Sequence, residues 1–214
     1  MAINRNLSIL FTTVAISVCS TTLQAAESGH FYLKPYTGIS YMNDVTGMSG
    51  ASSVEVELDK GLVLGAAFGY RYNANIAAEF AWEYRTNDSE TKVGTEFYPE
   101  GNYASNLFYL NGIYFFDPIG KLTPYLGAGL GWMQEIDIDL ERSGVETSFS
   151  NSGKLSYQGF VGLEYQLSSA WSIHTELRHA GAKSGDLIGE QNKALFANLN
   201  YKPFTWQLGA KYQF

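Results

Sequence analysis

Residues 123–132 read TPYLGAGLGW, a strand-like stretch in which positions 127, 129 and 131 are glycine while Leu126, Ala128, Leu130 and Trp132 fill the alternate positions. Glycine packs nothing and weakens a strand interior, so three on one face mark a place where something else approaches closely. Period-two alternation of this kind recurs from residue 31 onward, and helical spacing does not. Strands are expected over residues 31–41, 61–72, 76–86, 105–116, 124–135, 155–167, 171–180 and 204–214, eight in all. The connections at 73–75, 117–123 and 168–170 are short; those at 42–60, 87–104, 136–154 and 181–203 are long. Strict alternation of short and long places all short turns at one end of an up-and-down arrangement, which is how outer-membrane barrels are organised.

The two faces of each strand differ in bulk. Leu62, Leu64, Phe68 and Tyr70 oppose Gly61, Gly65, Gly69 and Arg71; Phe80, Trp82 and Tyr84 oppose Glu79, Glu83 and Arg85; Trp206, Leu208 and Tyr212 oppose Gln207, Gly209 and Lys211. The segment at 105–116 is ambiguous, with large apolar residues on both sides and only Asn111 to mark the polar one. Eight strands enclose an interior just wide enough for side chains to fill it. The bulky residues are too many for that interior and are therefore assigned to a lipid-facing band. Its aromatic girdles are Trp82, Tyr84, Trp132 and Trp206 toward the loops, and Tyr72, Phe116, Tyr165, Trp171 and Phe214 toward the turns. The fold class expected is all-β: an eight-stranded antiparallel up-and-down transmembrane β-barrel.

By the same parity the interior receives Lys34, Arg71, Arg85, Arg178 and Lys211 with Glu79, Glu83, Glu135, Glu164 and Glu176, five charges of each sign. Unpaired buried charge is costly, so these groups are expected to pair in volume that the glycines leave free.

Residues 1–26 carry one basic residue, Arg5, an apolar run from Leu7 to Val18 and small residues at Ala25 and Ala26, the pattern of a cleaved signal peptide. A lipid anchor at Cys19 would call for a small preceding residue, where Val18 stands. Residues 27–214 then form the barrel domain. They contain no cysteine, which removes disulfides and thiolate chemistry, and their formal charge of −8 (13 basic and 21 acidic residues) argues against nucleic acid as a partner.

LTPYLGAGLGW, GFVGLEYQL followed by WSIHTELRH, and the ending FTWQLGAKYQF together resemble the eight-stranded outer-membrane β-barrel family of Gram-negative bacteria, which includes the OmpA transmembrane domain and the opacity-type surface proteins. The resemblance covers essentially all of residues 27–214. It implies residence in the cell outer membrane among lipid and lipopolysaccharide. It also implies an assembly signal at Trp206, Leu208, Ala210, Tyr212 and Phe214 read by the barrel-assembly machinery, and a structural or surface-interaction role toward a host or matrix ligand. OmpA proteins continue into a peptidoglycan-binding domain after the barrel, and no such domain is expected here. A small or gated pore is the alternative function.

Enzymatic chemistry is not expected. His179 resembles the histidine of outer-membrane lipid A deacylases, but the serine those enzymes carry two residues later is replaced by Gly181. His30 and His174 read as structural, and no cofactor is implied. The outer connections at 42–59, 87–102, 136–153 and 181–194 sum to −4, −3, −3 and 0, so net acidity lies on the outer side. Glu55, Glu57, Asp59, Glu135, Asp137, Asp139 and Glu141 alternate with apolar residues, in parity continuous with the lumen. They are weak, diffuse candidates for divalent cations.

Overall fold

The computed structural model describes residues 29–189 and 195–214. The signal-peptide segment 1–26 lies outside the described residues, as do 190–194. Thirteen strands occur in chain order: β1 (His30–Tyr41), β2 (Val45–Ser49), β3 (Ser52–Leu58), β4 (Gly61–Arg71), β5 (Ile76–Val93), β6 (Glu96–Tyr98), β7 (Glu100–Phe115), β8 (Leu122–Arg142), β9 (Val145–Asn151), β10 (Lys154–Gln166), β11 (Trp171–Gly189), β12 (Leu195–Tyr201) and β13 (Phe204–Gln213).

Eight of them form a closed antiparallel ring, β1–β4–β5–β7–β8–β10–β11–β13, with β13 returning to pair with β1. These are the eight strands expected. Closure leaves no unpaired strand edge in the ring, the condition for crossing hydrocarbon as strands. The bulky face points outward: Leu62, Leu110, Leu130, Trp132, Leu155 and Phe214 are all more than half exposed. The ambiguous β7 settles with Asn111, Leu107, Tyr109, Ile113 and Phe115 inward and Leu110 and Tyr114 outward.

The long connections are strands too. Above the lipid-facing band, β5, β7, β8 and β11 continue without interruption, and β2, β3, β9 and β12 take the places of β1, β4, β10 and β13. The result is a second ring, β5–β7–β8–β9–β11–β12–β2–β3. Spanning a bilayer takes about 9–11 tilted residues, whereas β5 has 18, β8 has 21 and β11 has 19. The barrel therefore projects well beyond the membrane.

Between the rings the faces exchange. In β4 the inward residues are Val63, Gly65 and Ala67; in β3 they are Val54 and Val56, so Glu55 and Glu57 point out. The parity resets at Asp59 and Lys60, where neither strand continues. In β8, Met133 pairs with Leu107 and Glu135 with Asn106, leaving Gln134 as an extra residue. This bulge inverts parity beyond it: Ile136, Ile138 and Leu140 are buried while Glu135 is exposed. The expectation that the acidic residues continue the luminal face is thus wrong for both segments. The outer ring is filled by an apolar core of Val45, Val54, Val56, Ile136, Ile138, Leu140, Phe149, Leu187 and Phe196.

The glycines of the opening stretch are covered by side chains of their register partners on the adjacent strands β7 and β10. A Cβ at Gly127 would collide with the Phe160 ring, at Gly129 with Asn111, and at Gly131 with Tyr109. The occupants are thus rings and a carboxamide, where charged side chains had been expected. Tyr109 cannot swing aside freely, because its hydroxyl bonds Ser156 Oγ at 3.0 Å. Gly131→Ala should therefore cost about 1–3 kcal/mol of overpacking, read as a lower temperature for conversion of the compact gel band to the unfolded one. An unchanged conversion temperature would show that Tyr109 has room to yield.

Candidate functional site: a buried charge column and an acidic outer face

Two regions carry chemistry. The first is the lumen of the lower ring. Inward-facing positions of β1, β5 and β11 bring Lys34, Glu79, Glu83, Arg85, Glu176 and Arg178 into one chain of contacts. Arg85 Nη2 meets Glu83 Oε1 at 2.5 Å, and Arg178 Nη1 meets Glu83 Oε2 at 3.1 Å. Arg178 Nη2 also meets Glu176 Oε1 at 2.6 Å. Lys34 Nζ lies 3.7 Å from Glu176 and 2.7 Å from Glu79. Arg178, Glu83 and Glu176 have side chains of zero exposure.

Neutral donors and acceptors complete the shell. Arg85 Nη1 donates to Ser40 Oγ and Thr205 Oγ1, both at 2.7 Å. Glu176 accepts from Gln207 Nε2 at 2.9 Å and from the Tyr125 hydroxyl at 3.1 Å; Glu79 accepts from the Tyr32 hydroxyl at 3.2 Å and Asn111 Nδ2 at 3.3 Å. The Arg178 guanidinium also lies over the Phe160 and Tyr36 rings, 4.9 and 5.5 Å from their centroids.

The other expected luminal charges are placed differently. Lys211 pairs with Glu164 at 2.5 Å, apart from the main chain of contacts. Arg71 donates to the turn carbonyls of Asn73 and Ala74 and lies 3.9 Å over the Phe115 ring. Glu135 is outside the lumen altogether, because of the bulge at Gln134. Sequence reasoning missed Tyr32, Tyr36 and Tyr125; their parity with Lys34 and Gly127 was the available signal.

The second region is the outer face of the upper ring. Glu135, Asp137, Asp139 and Glu141 run along β8 facing solvent, with Glu141 directly abreast of Glu100 on β7 and Glu146 on β9. Glu55 and Glu57 lie on β3, which pairs with β5, and Glu57 is engaged by Lys92 at 2.9 Å. The seven candidate carboxylates are thus divided between non-adjacent strands, and Asp59 lies at the break after β3. Among the described residues no group of three or more acidic, histidine or cysteine side chains could hold a metal ion.

The three histidines separate. His174 is buried in the lumen, His179 faces outward opposite Gly159, and His30 opens β1. Trp206, Leu208, Tyr212 and Phe214 of the terminal segment face lipid, with Ala210 half-buried beside them; Phe214 stacks on Phe31 at 6.5 Å where β13 meets β1.

The family described as outer membrane protein beta-barrel domain matches residues 11–214. Among curated proteins, outer membrane protein AlkL of Ectopseudomonas oleovorans is 24% identical over 190 residues, covering 86% of this chain and 79% of AlkL. Among solved structures, OprG of Pseudomonas aeruginosa superposes with a TM-score of 0.67 at 14% identity, covering 90% of this chain and 99% of OprG. Neisserial surface protein A does so with a TM-score of 0.53 at 18% identity, covering 86% and 97%. At these identities the structural likeness concerns the fold.

Removing one partner of a buried pair leaves the others uncompensated. Arg178→Met should leave Glu83 and Glu176 without their shared cation and cost about 3–5 kcal/mol, measured by urea unfolding in lipid vesicles. Unchanged stability would show that Arg85, Lys34 and Gln207 suffice for both carboxylates. Outside the membrane, partial burial, reinforced by Asp139 and Glu135, lifts the Asp137 carboxyl to about 6. An unfolded aspartate releases its proton near ~4. Between these values the folded form holds a proton that the unfolded form has lost, so stability declines as pH rises through the window, and the loss is complete above it. Asp137→Asn should accordingly raise the unfolding temperature at about pH 8 and have no such effect at about pH 3; equal effects at both would discount the burial.

Proposed function

We propose that this chain, which belongs to the outer membrane protein β-barrel domain family and resides in the outer membrane, is a non-enzymatic surface-contact protein that presents a rigid acidic head to cationic material outside the cell. The observation that supports this reading most directly is the second ring, which carries carboxylates well beyond the lipid-facing band on a closed, apolar-cored scaffold. Preformed β-structure avoids the ordering cost that flexible loops would incur on binding. A head of one dominant sign draws oppositely charged partners over a range set by ionic strength.

The test uses vesicles carrying the refolded protein and a fluorescent oligolysine probe. Replacement of Glu55, Glu57, Glu135, Asp137, Asp139 and Glu141 by their amides should weaken probe binding several-fold, and added salt should abolish the difference. Equal binding by both proteins would overturn the reading.

A second reading, passage of small apolar solutes, draws support from a different observation. The outer ring encloses apolar residues above a lumen filled by ion pairs, so an entering solute would have to leave sideways through the wall. Among the described residues, β2 and β12 are joined only through Met48 and Ala197. Uptake of an apolar dye that is lost on cross-linking this seam, without ion conductance, would favour passage over surface contact.

A further inference from the structure

The turn-side end of the lumen contains a small cavity and a histidine without a partner. The cavity measures about 10 Å³, room for one water-sized species, and Lys34, Glu79, Phe115, Glu164, His174 and Lys211 are among its walls. His174 is 3% exposed, and neither its Nδ1 nor its Nε2 has a hydrogen-bond partner among the described residues. A neutral imidazole carries one N–H donor and one acceptor nitrogen, so this buried ring leaves two bonds unmade. The ring lies against Gly209, its register partner on β13, where a Cβ would sit 2.3 Å from its Cε1.

Charge at this end of the lumen is out of balance. Glu83 is met by Arg85 and Arg178, Glu176 by Arg178, Glu79 by Lys34 and Glu164 by Lys211. Arg71 has no carboxylate within ion-pair distance among the described residues, so with His174 neutral the lumen holds one cation more than it holds carboxylates. The imbalance follows from the bulge at Gln134, which turns Glu135 out to solvent. The excess lies beside the cavity: Arg71 sits 3.9 Å over the Phe115 ring, and Lys211 Nζ lies 5.6 Å from the centroid of the same ring. The strongest charge effects on His174 come from Lys34, Lys211 and Arg178, opposed by Glu164.

We propose that this cavity holds one small monovalent anion of the halide class, bound by the ring N–H of His174 and the ammonium groups of Lys34 and Lys211, and that the anion supplies the negative charge the lumen lacks. Water would satisfy the histidine but leave the extra cation uncompensated, and a buried uncompensated charge is the costlier defect. The volume suits a monatomic ion and is too small for a phosphate or a carboxylic acid. Glu79 and Glu164 also border the cavity, but each already has an ammonium at 2.7 and 2.5 Å. The site lies within the membrane-embedded ring and is independent of what the outer head contacts.

The experiment compares anions on protein purified from outer membranes in mild detergent and dialysed exhaustively into gluconate. At constant ionic strength, exchange of gluconate for chloride or bromide should raise the unfolding temperature, read by tryptophan emission. The rise should grow with the logarithm of halide concentration, as for a ligand bound only by the folded form. His174→Phe, which fills the cavity with a ring that donates no hydrogen bond, should lose this response, whereas Leu163→Phe, on the lipid face of β10, should keep it. No halide response, or an equal response in all three proteins, would overturn the proposal. Crystals of the unmodified protein grown in bromide decide the matter even if His174→Phe fails to fold. An anomalous peak in contact with the His174 ring supports the site; density there without anomalous signal, or bromide on the outer surface as an adventitious ion only, rejects it.

Discussion

Hydrocarbon offers no hydrogen-bond partner to a peptide group, and this constraint shapes everything else in the molecule. Strands can cross only if the ring closes, and β13 pairing with both β11 and β1 closes it. Closure at eight strands in turn sets an interior that side chains fill. Five cations and four carboxylates enter that interior, and their placement follows from the cost of leaving any of them alone. Glu83 and Glu176 share Arg178; Lys34 lies between Glu79 and Glu176; Arg71, which has no carboxylate within ion-pair distance among the described residues, uses turn carbonyls and an aromatic ring. The glycines belong to the same arrangement. They are where the inward rings and carboxamide of adjacent strands lie flat against the wall.

A second constraint acts at the membrane boundary, where the preferred polarity of both surfaces reverses. Below it the outside must be apolar, while above it the outside meets water and the inside has become the only place to bury Val54, Ile136 or Phe149. Because side chains alternate with period two, a strand can exchange its faces by gaining one residue or by restarting. This protein uses both devices: the bulge at Gln134 in β8 and the break at Asp59 and Lys60 between β3 and β4. In β5 the parity runs through unchanged, and the exchange of polarity is incomplete. Its inward Asn87, Ser89 and Thr91 remain polar beside the apolar core.

These two constraints also divide the molecule into two parts. The lower ring anchors the protein and packs its lumen with paired charge, which leaves its outward wall free to specialise toward lipid. The upper ring projects beyond the membrane, and like charges set abreast, as at Glu100, Glu141 and Glu146, cost stability there. A surface selected for folding alone would intersperse cations among them, as Lys92 does beside Glu57.

The sequence by itself determined the eight membrane strands, their direction of facing, the alternation of short and long connections, and most members of the luminal charge group. All of these follow from a strict two-residue period, which survives in one dimension. It did not reveal that the long connections close into a second ring, because β2 with β12 and β9 with β11 meet only through pairings between segments distant in the chain. Nor did it place Glu135, whose parity matched the lumen when counted from Gly131. One unpaired residue, Gln134, reverses that count, and nothing in the local composition distinguishes a bulge from a continuing strand. Only the cross-strand register with Asn106 and Leu107, fixed by the packing of β7 against β8, decides on which side of the wall the carboxylate lies.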